Sequence, residues 1–513
     1  MVSNIRQTQP IVAIRSGEDY IESLRGRDLN VYLMGERIDE PVDHPVLRPS
    51  VNAVARTYDL ALEDPTLASA MSPMTGERVN RFAHVATSAE DLVQQNRMQR
   101  RLGQLTGTCF QRCVGMDAIN ALHSVTYDID AAHGTTYHAR FLNFVEMVQA
   151  RGYVVGGAMT DVKGDRSKPP HAQDDPDLYV HISQRSDAGI WLTGAKAHQT
   201  GCLNSHWLLV MPTLRLGEKD ADYAVVAALP VDAPGLTYIV GRQPSDTRAL
   251  EAGDIDSGNA TFGGQEAMII FDEVFVPWSD VFMHGEYEFA GTLVERFTGF
   301  HRRSYVCKSG VGDVLIGAAA TIAEYNGVEN ASHVRDKMVE MTHLNETIYS
   351  TGIAASFHAE PLASGVWQAN DMLANVCKHH VTKMPYELGR LAQDLAGGLV
   401  VTAPSEADLK HAEIGPLVDK YLQGRSDVST EARLRILRLI ENMTLGRNAV
   451  GYLTESMHGA GSPEAQRIQI RRQMQVDFKK ELAQSLAGIN EDCSAQTIAD
   501  LSDYMARVFN PTD

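Results

Sequence analysis

The 513-residue chain has few cysteines, no long uncharged apolar run and no dinucleotide-binding glycine fingerprint, and each absence closes a class of function. Six cysteines (Cys109, Cys113, Cys202, Cys307, Cys377 and Cys493) are too sparse for a disulfide framework and read as thiols of a reducing compartment. No uncharged stretch approaches the ~20 apolar residues of a membrane span. Met1 to Gln9 lacks the apolar segment of a secretory signal. No G-x-G-x-x-G follows a strand-like segment, which argues against a nicotinamide Rossmann domain. Internal repeats and low-complexity tracts are also missing. Basic residues are in the minority: 46 Lys and Arg against 65 Asp and Glu give a net charge of −19, which disfavours nucleic acid or an anionic membrane as partner. What is present is core material, with 44% of residues apolar. The length suits about three domains. The expectation is a cytoplasmic globular protein.

Three textures follow one another along the chain. Residues 1–152 read as a helical domain, with Ser88-Ala-Glu-Asp91 as a capping box and residues 109–132 as a further helix. Residues 153–282 change to β patterning, with strand-like runs at 178–183, 190–195, 207–211, 223–229, 236–240 and 267–276. They suit an antiparallel barrel or sandwich. Residues 283–513 return to helical spacing at 311–324, 333–358, 370–395, 431–445 and 466–487. The fold class is therefore α+β, in the order helical, β, helical.

Several short motifs carry chemistry. Cys109-Phe-Gln-Arg-Cys113 spaces two thiols at i and i+4, one face of a helix if the segment is helical. Far downstream, His301-Arg-Arg-Ser-Tyr305-Val-Cys307-Lys308 adds a His and a third Cys. Three Cys and one His suit either structural zinc or an iron–sulfur cluster. Two turn-rich loops, one with Met159, Thr160, Asp161 and Arg166 and one with Gln199 and Thr200, border β segments and suit a planar, phosphate-bearing cofactor. Glu266 and Glu455 are carboxylates beside glycine-rich turns, where a raised pKa would fit acid–base work. Each of these residues also has a plainer reading as core, loop or solvated charge.

Taken together the motifs are more specific. Asp19-Tyr-Ile-Glu-Ser-Leu24, Val42-Asp-His-Pro45, Cys109-Phe-Gln-Arg-Cys-Val-Gly-Met-Asp-Ala118, Gly194-Ala-Lys-Ala-His-Gln-Thr-Gly201, Phe262-Gly-Gly-Gln-Glu-Ala267 and Met341-Thr-His-Leu-Asn-Glu-Thr347 resemble the 4-hydroxybutyryl-CoA dehydratase family. That family is distantly similar to the flavin-dependent 4-hydroxyphenylacetate 3-monooxygenases. The resemblance runs from Asp19 to near Gly488. It implies an acyl-CoA dehydrogenase-like fold, an N-terminal helical domain, a central antiparallel β-barrel and a C-terminal helical bundle, assembled as a homotetramer. It also implies FAD and a 4Fe–4S cluster as cofactors, an acyl-CoA substrate, and dehydration of 4-hydroxybutyryl-CoA to crotonyl-CoA with vinylacetyl-CoA isomerisation as a second activity. The implied route removes the C2 proton and then uses one-electron oxidation by FAD to acidify the C3 hydrogen. The hydroxyl departs toward an iron acting as Lewis acid.

By the same resemblance, Cys109, Cys113, His301 and Cys307 are the cluster ligands, and Cys202, Cys377 and Cys493 are bystanders. His301 doubles as the C3 base, Glu455 is an acid–base carboxylate, and Glu266 and Tyr305 take neighbouring proton or hydrogen-bond roles. Lys308 and Thr200 stand near flavin and substrate, and Arg100 and Gln111 near the cluster. The chain departs from the family at one place: five residues, not six, separate His301 from Cys307. On a regular helix that leaves the two side chains about 120° apart. An irregular turn absorbs such a change, so both are expected to remain ligands. The alternatives are a cluster-free flavin-dependent aromatic hydroxylase and a non-catalytic protein with a Cys3His zinc site.

Overall fold

A computed structural model describes residues 13–242 and 253–489, so Cys493 and the stretch Met1 to Gln9 lie outside the described residues. The described residues fall into two compact units. One takes those within Met1–Val85, Phe110–Pro244 and Thr261–Phe297, and the other those within Ala86–Cys109, Ser245–Ala260 and Thr298–Asp513.

The first unit is built on β1 (Val31–Leu33), β2 (Glu36–Ile38), β3 (Ser69–Met71), β4 (Arg78–Asn80), β5 (Val155–Ala158), β6 (His181–Ser186), β7 (Gly189–Thr200), β8 (Trp207–Val210), β9 (Val225–Pro230), β10 (Leu236–Val240), β11 (Glu266–Pro277) and β12 (Val281–His284). Ten of these form a six-stranded sheet, β2-β1-β10-β11-β7-β6, and a four-stranded sheet, β12-β9-β8-β5. All six strand-like runs read from the sequence are strands. β1, β2, β5 and β12 are too short to have shown a period. β1 pairs β10 in parallel and β5 pairs β8 in parallel. Among the described residues no pairing closes either sheet into a barrel.

Alternation along the two longest strands explains how the sheets meet. Ile190 and Leu192 of β7, and Ile269, Phe271, Val274 and Val276 of β11, point to one side and are buried. They share a single core with Leu208, Val210, Val225, Ala227 and Val281 from the smaller sheet. Bulges between Ala267 and Ile269 and between Phe271 and Val274 shift the β11–β7 register and bend the pair. Helices Cys113–His133 and Tyr137–Arg151 also belong to this unit, each ended by a left-handed glycine, Gly134 and Gly152.

The second unit is helical. Ser88 caps helix Ala89–Thr106 by accepting from the Asp91 amide at 3.1 Å, one half of the expected capping box, while the Asp91 carboxylate accepts from the Thr87 amide at 3.0 Å instead of from the Ser88 amide. This helix lies against helix Cys307–Tyr325 with glycine on both sides of the contact. A Cβ on Gly310 would run into the Arg100 carbonyl, and one on Gly103 would sit 2.9 Å from the Val311 amide nitrogen. Helices Ser332–Phe357, Asp371–Val381, Met384–Ala396 and Thr430–Thr444 complete the packing. Leu315, Ile322, Met341, Leu388, Leu437, Ile440 and Met443 form its core. The helical run Glu288–Tyr325 contains an apolar window of mean hydropathy 1.4, of which 67% is buried inside the protein, as suits a core helix.

Candidate active site

The helical unit gathers the most reactive side chains. Helix Glu288–Arg303 passes through a 3-10 turn, Ser304–Val306, into helix Cys307–Tyr325, so one run supplies His301, Tyr305 and Lys308. One α turn separates His301 from Tyr305, and their rings meet edge-on with centroids 5.4 Å apart. Lys308 Nζ donates to the Gly451 carbonyl at 2.8 Å. Glu455 arrives from the other side, directly after a π-helical turn at Val450–Thr454. Such turns cluster at functional sites because the extra residue re-aims the side chains after it. A Cβ placed on Gly451 would lie 3.1 Å from Glu455 Oε2 and 3.8 Å from Cys109 Cβ, so carboxylate and thiol-bearing carbon flank one glycine. Gly459 must also be small, because a Cβ there would collide with the Tyr305 hydroxyl.

Cations dominate this cluster. Arg302 donates to the Ala460 carbonyl at 3.1 Å and to Asn375 Oδ1 at 2.6 Å. Lys378, fully buried on helix Asp371–Val381, donates to the Ser456 carbonyl and to the Met457 carbonyl at 3.2 Å. Its ammonium stands 4.5 Å from the centroid of the Tyr305 ring. Burial, reinforced by Arg302 and Lys308, brings the Lys378 pKa down to about 7. Burial raises the Glu455 carboxyl above its ordinary value, opposed by Lys308, His301 and Lys378. Burial that favours the protonated carboxyl is the kind of environment an acid–base carboxylate uses. Lys378 and Arg302 escaped the sequence reading. The signal was present: Ala374, Cys377, Lys378 and Val381 share one helical stripe, and all four are buried.

The cysteines require one correction. Cys109 and Cys113 do not share a helical face. Helix Ala89–Thr106 ends on left-handed Gly107, Gln111 takes a φ of 61°, and the next helix begins at Cys113. A glycine cap followed by a turn residue with positive φ breaks the run that the spacing suggested. Between His301 and Cys307 the 3-10 turn matters, because its residues advance by about 120° instead of about 100°. Three such residues reduce the mismatch from about 120° to about 60°. Among the described residues no group of three or more His, Cys, Asp or Glu side chains is gathered as a metal site. Burial pushes the Cys202 and Cys377 thiols up to about 12, which leaves both protonated at neutral pH.

The β-rich unit brings together most of the residues read as cofactor-binding, but Gln199 and Thr200 are not on a loop: strand β7 runs through Thr200, and both residues pair with the start of β11 at Ala267 and Glu266, which corrects the turn-rich reading. Gln199 accepts from the Met159 amide at 3.0 Å and donates to the Thr160 carbonyl at 3.2 Å. Lys196 pairs with Asp161 at 2.7 Å and donates to the Met159 carbonyl at 2.9 Å. Thr200 donates to Glu266 Oε2 at 2.8 Å, which ties the end of β7 to the start of β11. Gln111 is buried, donates to the Gly263 carbonyl at 3.1 Å and accepts from Asn204 at 3.0 Å. Arg166 is exposed on the loop after Asp161. In the helical unit, Arg100 forms a fork with Asp313, 2.9 and 3.0 Å, and also pairs with Glu346.

Comparison with known proteins agrees along nearly the whole chain. Residues 16–283 match the family described as 4-hydroxyphenylacetate 3-hydroxylase N terminal, and residues 290–488 match its C-terminal counterpart. The 4-hydroxybutyryl-CoA dehydratase/vinylacetyl-CoA-Delta-isomerase of Clostridium aminobutyricum is 54% identical over 489 residues, 93% of this chain and 100% of that protein. A solved structure described as an oxygen-tolerant archaeal 4-hydroxybutyryl-CoA dehydratase from N. maritimus is 68% identical with a TM-score of 0.92, covering 94% of this chain and 96% of that one. The oxygenase component of 4-hydroxyphenylacetate 3-monooxygenase, solved in complex with FAD, shares the fold at 23% identity and a TM-score of 0.79, over 92% of this chain and 98% of that one.

Proposed function

Because the chain belongs to the 4-hydroxybutyryl-CoA dehydratase branch of the 4-hydroxyphenylacetate 3-hydroxylase family, we propose that it removes water from 4-hydroxybutyryl-CoA to give crotonyl-CoA. We propose further that it moves the double bond of vinylacetyl-CoA, as a cytoplasmic homotetramer holding FAD and a 4Fe–4S cluster. The observation that carries this reading is the Glu455 carboxyl, raised by burial and set among His301, Lys308 and Lys378.

The donor chemistry supports the cofactors. Cys109, Cys113, Cys307 and His301 offer three sulfurs and one exchangeable nitrogen, a set suited to a cluster that leaves one iron weakly held. The charges of Lys308 and Lys378 act on Glu455 and favour an anion beside it. The Thr160 and Thr200 hydroxyls and the exposed Arg166 guanidinium suit a flavin with its phosphates. When bound, FAD supplies one-electron chemistry and an iron of the cluster a Lewis acid for the departing hydroxyl.

The residues of the chain move the protons. Glu455 is the acid–base carboxylate, giving a proton as acid and taking one back as base. His301 is the second base, its ring held edge-on by Tyr305. Lys308, fixed at the Gly451 carbonyl, favours negative charge developing on substrate. Glu455→Gln keeps the shape and loses the proton: dehydration should fall about 10²-fold or more while flavin and iron contents stay unchanged. Near-wild-type turnover in that variant rules Glu455 out as the proton carrier.

A further inference from the structure

We infer that Lys378 is the positioning residue of this site: by holding the turn that follows Glu455 and lying across the face of Tyr305, it fixes where both groups present their protons. The inference rests on the reading of Glu455 as the proton-transfer carboxylate.

The geometry is specific. The segment from Gly451 to Ala460 is fastened at its carbonyls by three cations: Lys308 at Gly451, Lys378 at Ser456 and Met457, and Arg302 at Ala460. Only Lys378 grips the two residues immediately after Glu455, and only Lys378 among the three also stands as close as 4.5 Å to the Tyr305 ring centroid. One ammonium thus links the two elements that approach each other at Gly459, where the Tyr305 hydroxyl leaves no room for a side chain. Helix packing alone would not select lysine here. Its neighbours on the stripe are Ala374, Cys377 and Val381, and a buried ammonium carries a desolvation cost that an apolar residue of the same length avoids. The compensation visible is the pair of carbonyls and the aromatic face.

Structure and kinetics test this together. Crystal structures of the holoenzyme with Lys378→Met and with Lys378→Arg should show Glu455 and the 455–457 turn displaced from their wild-type places. A turn that stays in register with the wild type in the variants overturns the inference, whatever the protein turns over. For dehydration of 4-hydroxybutyryl-CoA, kcat should fall about 10²-fold in Lys378→Met and about tenfold in Lys378→Arg, with KM nearly unchanged, as expected for misplacement of about 1 Å. Combined with Glu455→Gln, either change should reduce kcat by less than about threefold further, because Lys378 acts through the missing carboxylate. Losses that multiply in the double variants overturn the inference, since a general packing defect behaves that way. If Lys378→Met does not fold, Lys378→Arg, which keeps the charge and its donors, decides alone. If the wild-type enzyme does not dehydrate this substrate, the function assigned above fails while the crystal structures still judge Lys378.

Discussion

Gly459→Ala isolates the contact on which the proposed proton site closes. The glycine has φ −58° and ψ 145°, angles that alanine adopts without strain, so any effect comes from the added methyl alone. That Cβ would collide with the Tyr305 hydroxyl and would lie 3.2 Å from both Tyr305 Cζ and the Glu455 carbonyl oxygen. The phenol cannot simply swing away, because its ring packs edge-on to His301 and under the Lys378 ammonium. Overpacking of this kind costs about 1–3 kcal/mol. Displacing a proton-transfer group by about 1 Å lowers kcat by about 10²-fold. Urea denaturation of the holoenzyme and steady-state dehydration measure the two effects. A second change, Tyr305→Phe, removes the atom that the methyl strikes; in the double variant stability should return toward that of Tyr305→Phe alone, while activity stays low. Wild-type stability and kcat in Gly459→Ala, or no recovery in the double variant, would refute the contact.

Two further outcomes come from packing and burial. Gly310→Ala should destabilise by about 3 kcal/mol or more in urea denaturation, although alanine favours a helix by about 1 kcal/mol over glycine, because its Cβ meets backbone atoms of Arg100 and Gln104 that no rotamer change can clear; an unchanged midpoint contradicts that helix contact. His123 is buried beside His138, and burial lowers its pKa from 6.5 to about 4. A depressed histidine keeps the fold stable above its unfolded pKa and costs stability as pH falls toward the folded value, so between pH 7 and pH 5 the wild type should lose about 2 kcal/mol that His123→Leu does not lose. Equal losses in both proteins would count against the burial of His123.

Sequence pattern revealed the long elements and missed those whose identity is decided by distant partners. The pattern shows β11 at 267–276 but β7 only at 190–195, its end through Gln199 and Thr200 reading as a turn-rich loop, whereas β1 exists because Val31 and Tyr32 pair with Tyr238 and Ile239 on β10, far away in the chain. At the site, the motif from His301 to Lys308 shows a His and a Cys, whereas roles for Tyr305, Lys308 and Glu455 come only with the family resemblance. Cys109 and Cys113 misled, since residue spacing cannot report that Gly107 and Gln111 take left-handed backbone angles between two helices. Lys378 was hidden for the opposite reason. Its place on a buried stripe was visible, but its partners are backbone carbonyls of Ser456 and Met457, and a carbonyl carries no sequence signature.

Product analysis of 4-hydroxybutyryl-CoA after anaerobic incubation with the purified protein bears most directly on the proposed reaction. Conversion to crotonyl-CoA is expected, with conversion reduced about 10²-fold or more in Glu455→Gln. Intact substrate, together with hydroxylation of 4-hydroxyphenylacetate by the same preparation once reduced flavin and oxygen are added, would contradict the dehydratase assignment and favour the monooxygenase chemistry of the wider family.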